Sequence, residues 1–128
     1  MANEIWHNFD EAETLYALIY RKTDDKVYDQ VAGENTFDTY TDADILTYDV
    51  PLTNHADSDY HSVDFPTDIA SGAYRVAIMW RIGGAIDADI DEAVAQGEIY
   101  WDYDTSSEVD LITLSDKLNF VLNVYNET

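Results

Sequence analysis

Cysteine is absent from this chain of 128 residues, which excludes a disulfide framework, a thiolate metal site and a cysteine nucleophile. Stability therefore has to come from the burial of apolar surface. Basic residues are nearly absent too: 6 Lys and Arg stand against 27 Asp and Glu, for a formal net charge of −21. A surface this one-sided repels nucleic-acid phosphates and anionic membranes, so neither is an expected partner. No apolar run approaches the roughly 18 residues of a membrane span. The opening stretch Met1-Ala2-Asn3-Glu4-Ile5-Trp6-His7 lacks the basic and apolar regions of an export signal. A soluble protein carrying no export signal is the expectation. Motifs of catalysis are missing as well: there is no His-x-x-x-His pair, G-x-S-x-G elbow, phosphate loop or G-x-G-x-x-G. No enzymatic activity and no cofactor are expected.

What the chain does contain is the material of a core. Hydrophobic residues make up 46% and aromatic residues 13%, too many for a charge-driven disordered chain and enough for a folded domain with an acidic skin. Unpaired carboxylates are almost never buried, so most of the acids are expected at the surface. At low salt they repel one another. The screening length falls from about 10 Å at 0.1 M salt to about 3 Å at 1 M, so concentrated salt silences most of this repulsion, and a saline habitat is the setting that fits.

Period-2 alternation, β-branched and aromatic residues and closely spaced turns dominate the first 104 positions. They predict strands at Thr14–Tyr20, Lys26–Val31, Ile45–Leu52, Tyr60–Phe65, Gly72–Ile82 and Gly97–Tyr103. Thr23-Asp24-Asp25 reads as the turn of a hairpin, and Asn54–Asp59 as a polar loop whose side chains satisfy turn backbone. Pro66 and Gly83-Gly84 stop strands. Short antiparallel strands at this spacing predict a mostly β fold, an antiparallel β-sandwich of immunoglobulin-like or jelly-roll-like type. Its central strand is expected at Ala73–Trp80, with Tyr74, Val76, Ile78 and Trp80 on the face turned to the second sheet.

Residues 1–106 are read as the sandwich and residues 107–128 as an extension that packs on the domain or on a neighbouring subunit. Leu111, Leu114, Leu118, Val121 and Tyr125 recur at heptad spacing and predict a short C-terminal helix. Leu118, Phe120, Leu122 and Val124 alternate and would equally serve a strand.

Three constellations invite chemistry. Asp87, Asp89, Asp91 and Glu98 have the spacing of calcium ligands at positions 1, 3, 5 and 12 of an EF-hand loop, with Val94 apolar at position 8. Glu92, however, occupies the position that requires glycine, so this is a weak calcium candidate in an acidic loop, and no metal is assigned. His7, His55 and His61 lie among carboxylates without a pattern that fixes a ligand set. Tyr100-Trp101-Asp102-Tyr103, with Trp80 and Trp6, offers aromatic surface for a sugar, or simply core and sheet surface. Arg21, Lys22 and Lys26 gather around the first hairpin, where pairing with nearby acids is expected, in this subunit or across an interface.

Three segments together, Tyr48-Asp49-Val50-Pro51-Leu52-Thr53, Asp64-Phe65-Pro66-Thr67-Asp68-Ile69-Ala70-Ser71-Gly72-Ala73-Tyr74-Arg75-Val76 and Gly97-Glu98-Ile99-Tyr100-Trp101-Asp102, resemble a small β-sandwich domain of tailed-virus and prophage structural proteins. The resemblance covers residues 12 to 104, and its motifs are turn and core signals rather than catalytic ones. The loop at Ile86–Ala95 departs from the pattern in its acidity, which resembles that of haloarchaeal proteins and their viruses. The resemblance implies a non-enzymatic virion structural protein of a halophilic tailed virus: a capsid decoration, neck, baseplate or fibre-associated subunit. Its partners would be copies of itself, as a homo-oligomer in the particle, and neighbouring virion proteins. Two alternatives stand beside it. One is an acidic decoy that mimics the phosphate array of DNA; the other is a carbohydrate- or calcium-binding adhesion module.

Overall fold

Where β-branched and aromatic residues crowd the sequence, the backbone is extended. The computed structural model describes residues 3–109. In chain order its strands are β1 (Ile5–Asn8), β2 (Thr14–Arg21), β3 (Val27–Tyr28), β4 (Phe37–Asp38), β5 (Val50–Pro51), β6 (Thr53–Asn54), β7 (Tyr60–Val63), β8 (Gly72–Arg81), β9 (Glu92–Asp102) and β10 (Ser107–Glu108). A single turn of 3₁₀-helix (Asp42–Asp44) runs into a short helix α1 (Ile45–Tyr48) between β4 and β5.

The strands form two antiparallel sheets in a sandwich-like arrangement. The larger runs β10-β9-β8-β2-β3-β4, with β5 also pairing with β2; the smaller runs β1-β7-β6. The centre of the larger sheet is the β2–β8 pair, matched residue for residue from Thr14↔Arg81 to Arg21↔Tyr74. Alternation then sorts the side chains. Leu15, Ala17 and Ile19 of β2 join Tyr74, Val76 and Ile78 of β8 on the face turned to the small sheet, where they meet Ile5, Leu52, Phe65 and Ile69. Trp80 packs on the rim of this cluster, so the face predicted for β8 is the face found. Phe65 lies at its heart, fully buried, with ring centroids 5.5 Å from Tyr74 and 4.6 Å from Trp101. Phe65, Ile69, Tyr74, Ile99 and Trp101 all belong to this cluster.

The far face of the large sheet is covered as well. Tyr16 and Leu18 of β2, with Val27, pack under Ile45 and Tyr48 of α1. This corrects the strand expected over Ile45–Leu52, of which only Val50–Pro51 is a strand. Ile45 and Tyr48 stand three residues apart, one helical turn, and a helix aims both at β2 where a strand would send them to opposite faces. The strand expected at Lys26–Val31 shrinks to Val27–Tyr28, because the next segment is a turn held by Asp29, whose Oδ1 accepts from the amides of Val31 (3.1 Å) and Ala32 (2.8 Å).

The first hairpin closes as expected, with the Arg21 amide donating to the Lys26 carbonyl at 2.8 Å and Asp25 in the left-handed region at φ 58°. Ser107–Glu108 adds to the edge of β9 as β10, so the first residues of the expected extension belong to the sandwich. The predicted C-terminal helix lies outside the described residues.

Candidate contact surface

The small sheet has one face in the core and one in solvent, and the solvent face is unusual for so acidic a molecule. Pairing sets Trp6 opposite Ser62, Asn8 opposite Tyr60 and Thr53 opposite Ser62. These five residues therefore share the outer face, while Ile5, His7, Asn54, His61 and Val63 point inward. His55 adds to the outer side, its ring centroid 4.7 Å from that of Tyr60 and its Nε2 2.7 Å from Ser62 Oγ. Trp6 is 55% exposed, with its ring 6.1 Å from Tyr60. None of these six residues is a carboxylate. A protein with 27 acids thus keeps one sheet face free of them and places an exposed tryptophan there. Charge depletion with Trp and Tyr at the centre is the composition of an interface core.

A second feature lies at the flank of the sandwich. The core face of β9 begins with Trp101 and Ile99, both buried, and continues with Gly97 and Ala95. The small side chains leave Val76 and Ile78 of β8 under a cleft of about 390 Å³, closed on its other side by Glu4, Ile5, Trp6 and His7. Glu108 also lines it, its carboxyl pushed up first by burial and then by the charge of Glu4.

The structure disperses most of the sites expected from sequence. Asp91 is occupied within the protein: its Oδ2 accepts from the Tyr16 hydroxyl (2.8 Å) and the Asp87 amide (3.0 Å), and its Oδ1 from the Ile82 amide (3.1 Å). Burial first, and the Asp91 carboxylate second, push the Tyr16 phenol far above its ordinary range, so it remains a donor. Asp87 Oδ1 accepts from the Asp89 amide (2.9 Å), which makes the segment a self-closed turn. Glu98 sits on β9, facing Lys22 at 2.8 Å and the Tyr100 hydroxyl at 3.1 Å. Among the described residues, no cluster of three or more His, Asp or Glu is placed to hold a metal.

The histidines divide between environments. His55 belongs to the outer face. His61 is buried, its Nε2 3.2 Å from the carbonyls of Phe9 and Asp10 and 3.4 Å from the Asn54 side-chain amide nitrogen. His7 lines the cleft. The aromatic set is also split: Trp101 is core, Trp80 donates to Glu13 Oε2 at 3.0 Å, and Tyr100 and Tyr103 are exposed. Trp6 stands instead with Tyr60. Three of the bases among the described residues pair with acids, Arg21 with Asp24 (2.6 Å), Lys22 with Glu98 (2.8 Å) and Arg75 with Asp25 (3.2 Å).

Sequence reasoning missed the outer face, because β1 contributes a single inward apolar residue, Ile5, to its alternation. The available signal was Trp6 itself, a large aromatic in a stretch with no apolar neighbour two positions away. Comparison with protein families, curated proteins and solved structures yields no match for this chain.

Proposed function

We propose that this protein is a non-enzymatic assembly subunit, a structural component of a tailed-virus particle that works through contacts with copies of itself and with neighbouring virion proteins. One observation carries the assembly reading: the carboxylate-free outer face of the small sheet, centred on Trp6, Tyr60 and His55, in a chain of net charge −21. The virion setting rests on the turn and core motifs of the sequence. Association of such chains at low salt is opposed by the acids around that face, which act over about 10 Å at 0.1 M salt and about 3 Å at 1 M. A halophilic setting gives this face its opportunity.

The test is sedimentation velocity of the purified protein across a salt series from about 0.1 M to above 1 M. Reversible self-association that grows with salt is the expected result. A monomer at every salt and protein concentration overturns self-assembly as the function.

A further inference from the structure

A second cleft, of about 530 Å³, opens beside the turn between β9 and β10 and shares no lining residue with the outer face of the small sheet. Its volume is that of a small-molecule site. Three segments far apart in sequence build it: the loop at Glu34 and Asn35, the turn at Asp68–Ser71 and the turn at Tyr103 and Asp104. They are tied to one another. The Glu34 amide donates to Asp68 Oδ2 at 2.7 Å, the Ala70 amide to Asn35 Oδ1 at 3.0 Å and the Tyr103 amide to Ser71 Oγ at 2.8 Å. Gly33, Glu34 and Asn35 all hold left-handed backbone, at φ 62°, 51° and 58°. Residues other than glycine keep that conformation only where their surroundings fix it, and here the bonds across the cleft do so.

We infer that this cleft binds a neutral pyranose sugar. Tyr103 lines it with a side chain 52% exposed, a ring on which the flat C–H face of a pyranose can stack. Asn35 Oδ1 is taken by the Ala70 amide, while its Nδ2 makes no hydrogen bond among the described residues, so two donors are left over. Asp68 supplies acceptors in a fixed orientation: the Tyr28 hydroxyl donates to Oδ1 at 2.8 Å beside the Glu34 amide on Oδ2, and each oxygen keeps a lone pair. Burial first, and the Asp68 carboxylate second, push the Tyr28 phenol above its ordinary range, so it stays a donor. A sugar hydroxyl both donates and accepts, and a ring of them uses the tyrosine, the amide and the carboxylate together. An organic cation would stack on Tyr103 but leave the Asn35 donors unpaired. An acidic sugar or a phosphate would meet Glu34, Asp68 and Asp104 with no Lys or Arg among the lining residues to offset them. Of the aromatic run Tyr100–Tyr103, only Tyr103 takes part. This site goes beyond the assembly reading and does not rest on it.

The test is an amide NMR titration of the isotope-labelled full-length protein with the methyl glycosides of glucose, galactose, mannose and N-acetylglucosamine. Each is taken to about 100 mM, enough to fill a site of millimolar Kd. Saturable shifts with at least one of them are expected at Glu34, Asn35, Ser71 and Asp104. Glucuronate and choline, added in the same way, should bind at least about tenfold more weakly. Tyr103→Ala removes the exposed ring and should weaken sugar binding about tenfold. Asn35→Asp keeps an acceptor for the Ala70 amide and a residue that tolerates left-handed backbone, but replaces the two donors, and a loss of about tenfold is expected there too. The amide spectrum of each variant reports its fold, and the map of shifts on the wild-type protein stands whether or not the variants fold. No saturable shift with any of the sugars overturns the proposal. So does unchanged affinity in a folded Tyr103→Ala variant, and so does choline binding more tightly than the sugars, which would give the cleft to organic cations. The titration is run where the chain is monomeric and reads residues apart from Trp6, Tyr60 and His55, so neither outcome bears on whether the outer face of the small sheet self-associates.

Discussion

The two sheets of this sandwich meet the same problem, a second face turned away from the shared core, and answer it differently. The large sheet covers its far face with its own chain: Ile45 and Tyr48 of α1 close over Tyr16 and Leu18, and Ile86 and Ala88 from the acidic loop pack beside them. Asp91 pins that loop down by taking the Tyr16 hydroxyl and the Ile82 amide. The small sheet has no such cover among the described residues, yet it presents Trp6 and Tyr60 rather than the carboxylates that fill so much of this sequence. A bare face in an acidic protein would gain solubility from Asp or Glu at each outward position.

The largest effect is expected in the core that both sheets share. Phe65→Ala removes a fully buried ring from between them, and a loss of about 3–5 kcal/mol is expected in urea unfolding. A loss below about 1 kcal/mol would mean that the sheets do not depend on one core. Ile45→Ala tests the covered far face: a cost of about 2–5 kcal/mol is expected, toward the lower end because a one-turn helix relaxes readily into the gap. Tyr16→Phe removes only the hydroxyl that holds Asp91. It should cost about 1–2 kcal/mol and speed amide exchange in the loop from Ile82 to Asp91.

Acidity supplies a fourth test. Asp49 and Glu108 are held above their ordinary values chiefly by burial, and Asp38 chiefly by a hydrogen bond to Asp29. A carboxyl whose folded pKa is raised binds its proton more readily in the folded state. Its contribution is complete below the ordinary carboxylate range and is lost as pH rises through the folded value. The thermal midpoint should therefore climb as pH is lowered from neutral toward that range, 3.8 for Asp and 4.5 for Glu. The reverse applies to Asp24, held at about 2 chiefly by its hydrogen bond to Arg21, and to Glu98, held down by Lys22. Their contribution is present above the ordinary range and is lost as pH falls through their folded values, so the climb should end near pH 4. A midpoint that falls steadily from neutral pH downward would contradict this assignment.

How much of the molecule was legible in its sequence follows from how strongly each strand is patterned. β8 declares itself by alternating large residues, Tyr74, Val76, Ile78 and Trp80, and β2 by a continuous apolar run from Leu15 to Tyr20 that suits a strand covered on both faces. β9 was read only from Gly97, because its first half, Glu92 to Gln96, sets a single larger apolar residue, half-buried Val94, among small and polar ones. α1 was misread for the opposite reason: Ile45, Leu46 and Tyr48 suit a strand equally well, and only the need to cover Tyr16 and Leu18 decides for helix. The basic residues were placed correctly near the first hairpin, but the partner of Lys22 lies 76 positions away, beyond any local pattern. The carboxylate-free outer face of the small sheet was invisible, being assembled from three short strands whose outward residues are Trp, Asn, Thr, Tyr and Ser in no periodic array.

The smallest effect on stability is expected where the effect on association is greatest. Trp6→Ser/Tyr60→Ser alters only the outer face of the small sheet, so each change should shift the unfolding free energy by about 0.5 kcal/mol or less. Sedimentation of this variant beside the wild-type protein, at a salt concentration where the wild-type chain associates, asks whether this face holds copies together. An associating wild type and a monomeric variant with nearly the same melting temperature are the expected result. Association of both proteins to the same extent would contradict it, because the bare face would then play no part in holding copies together.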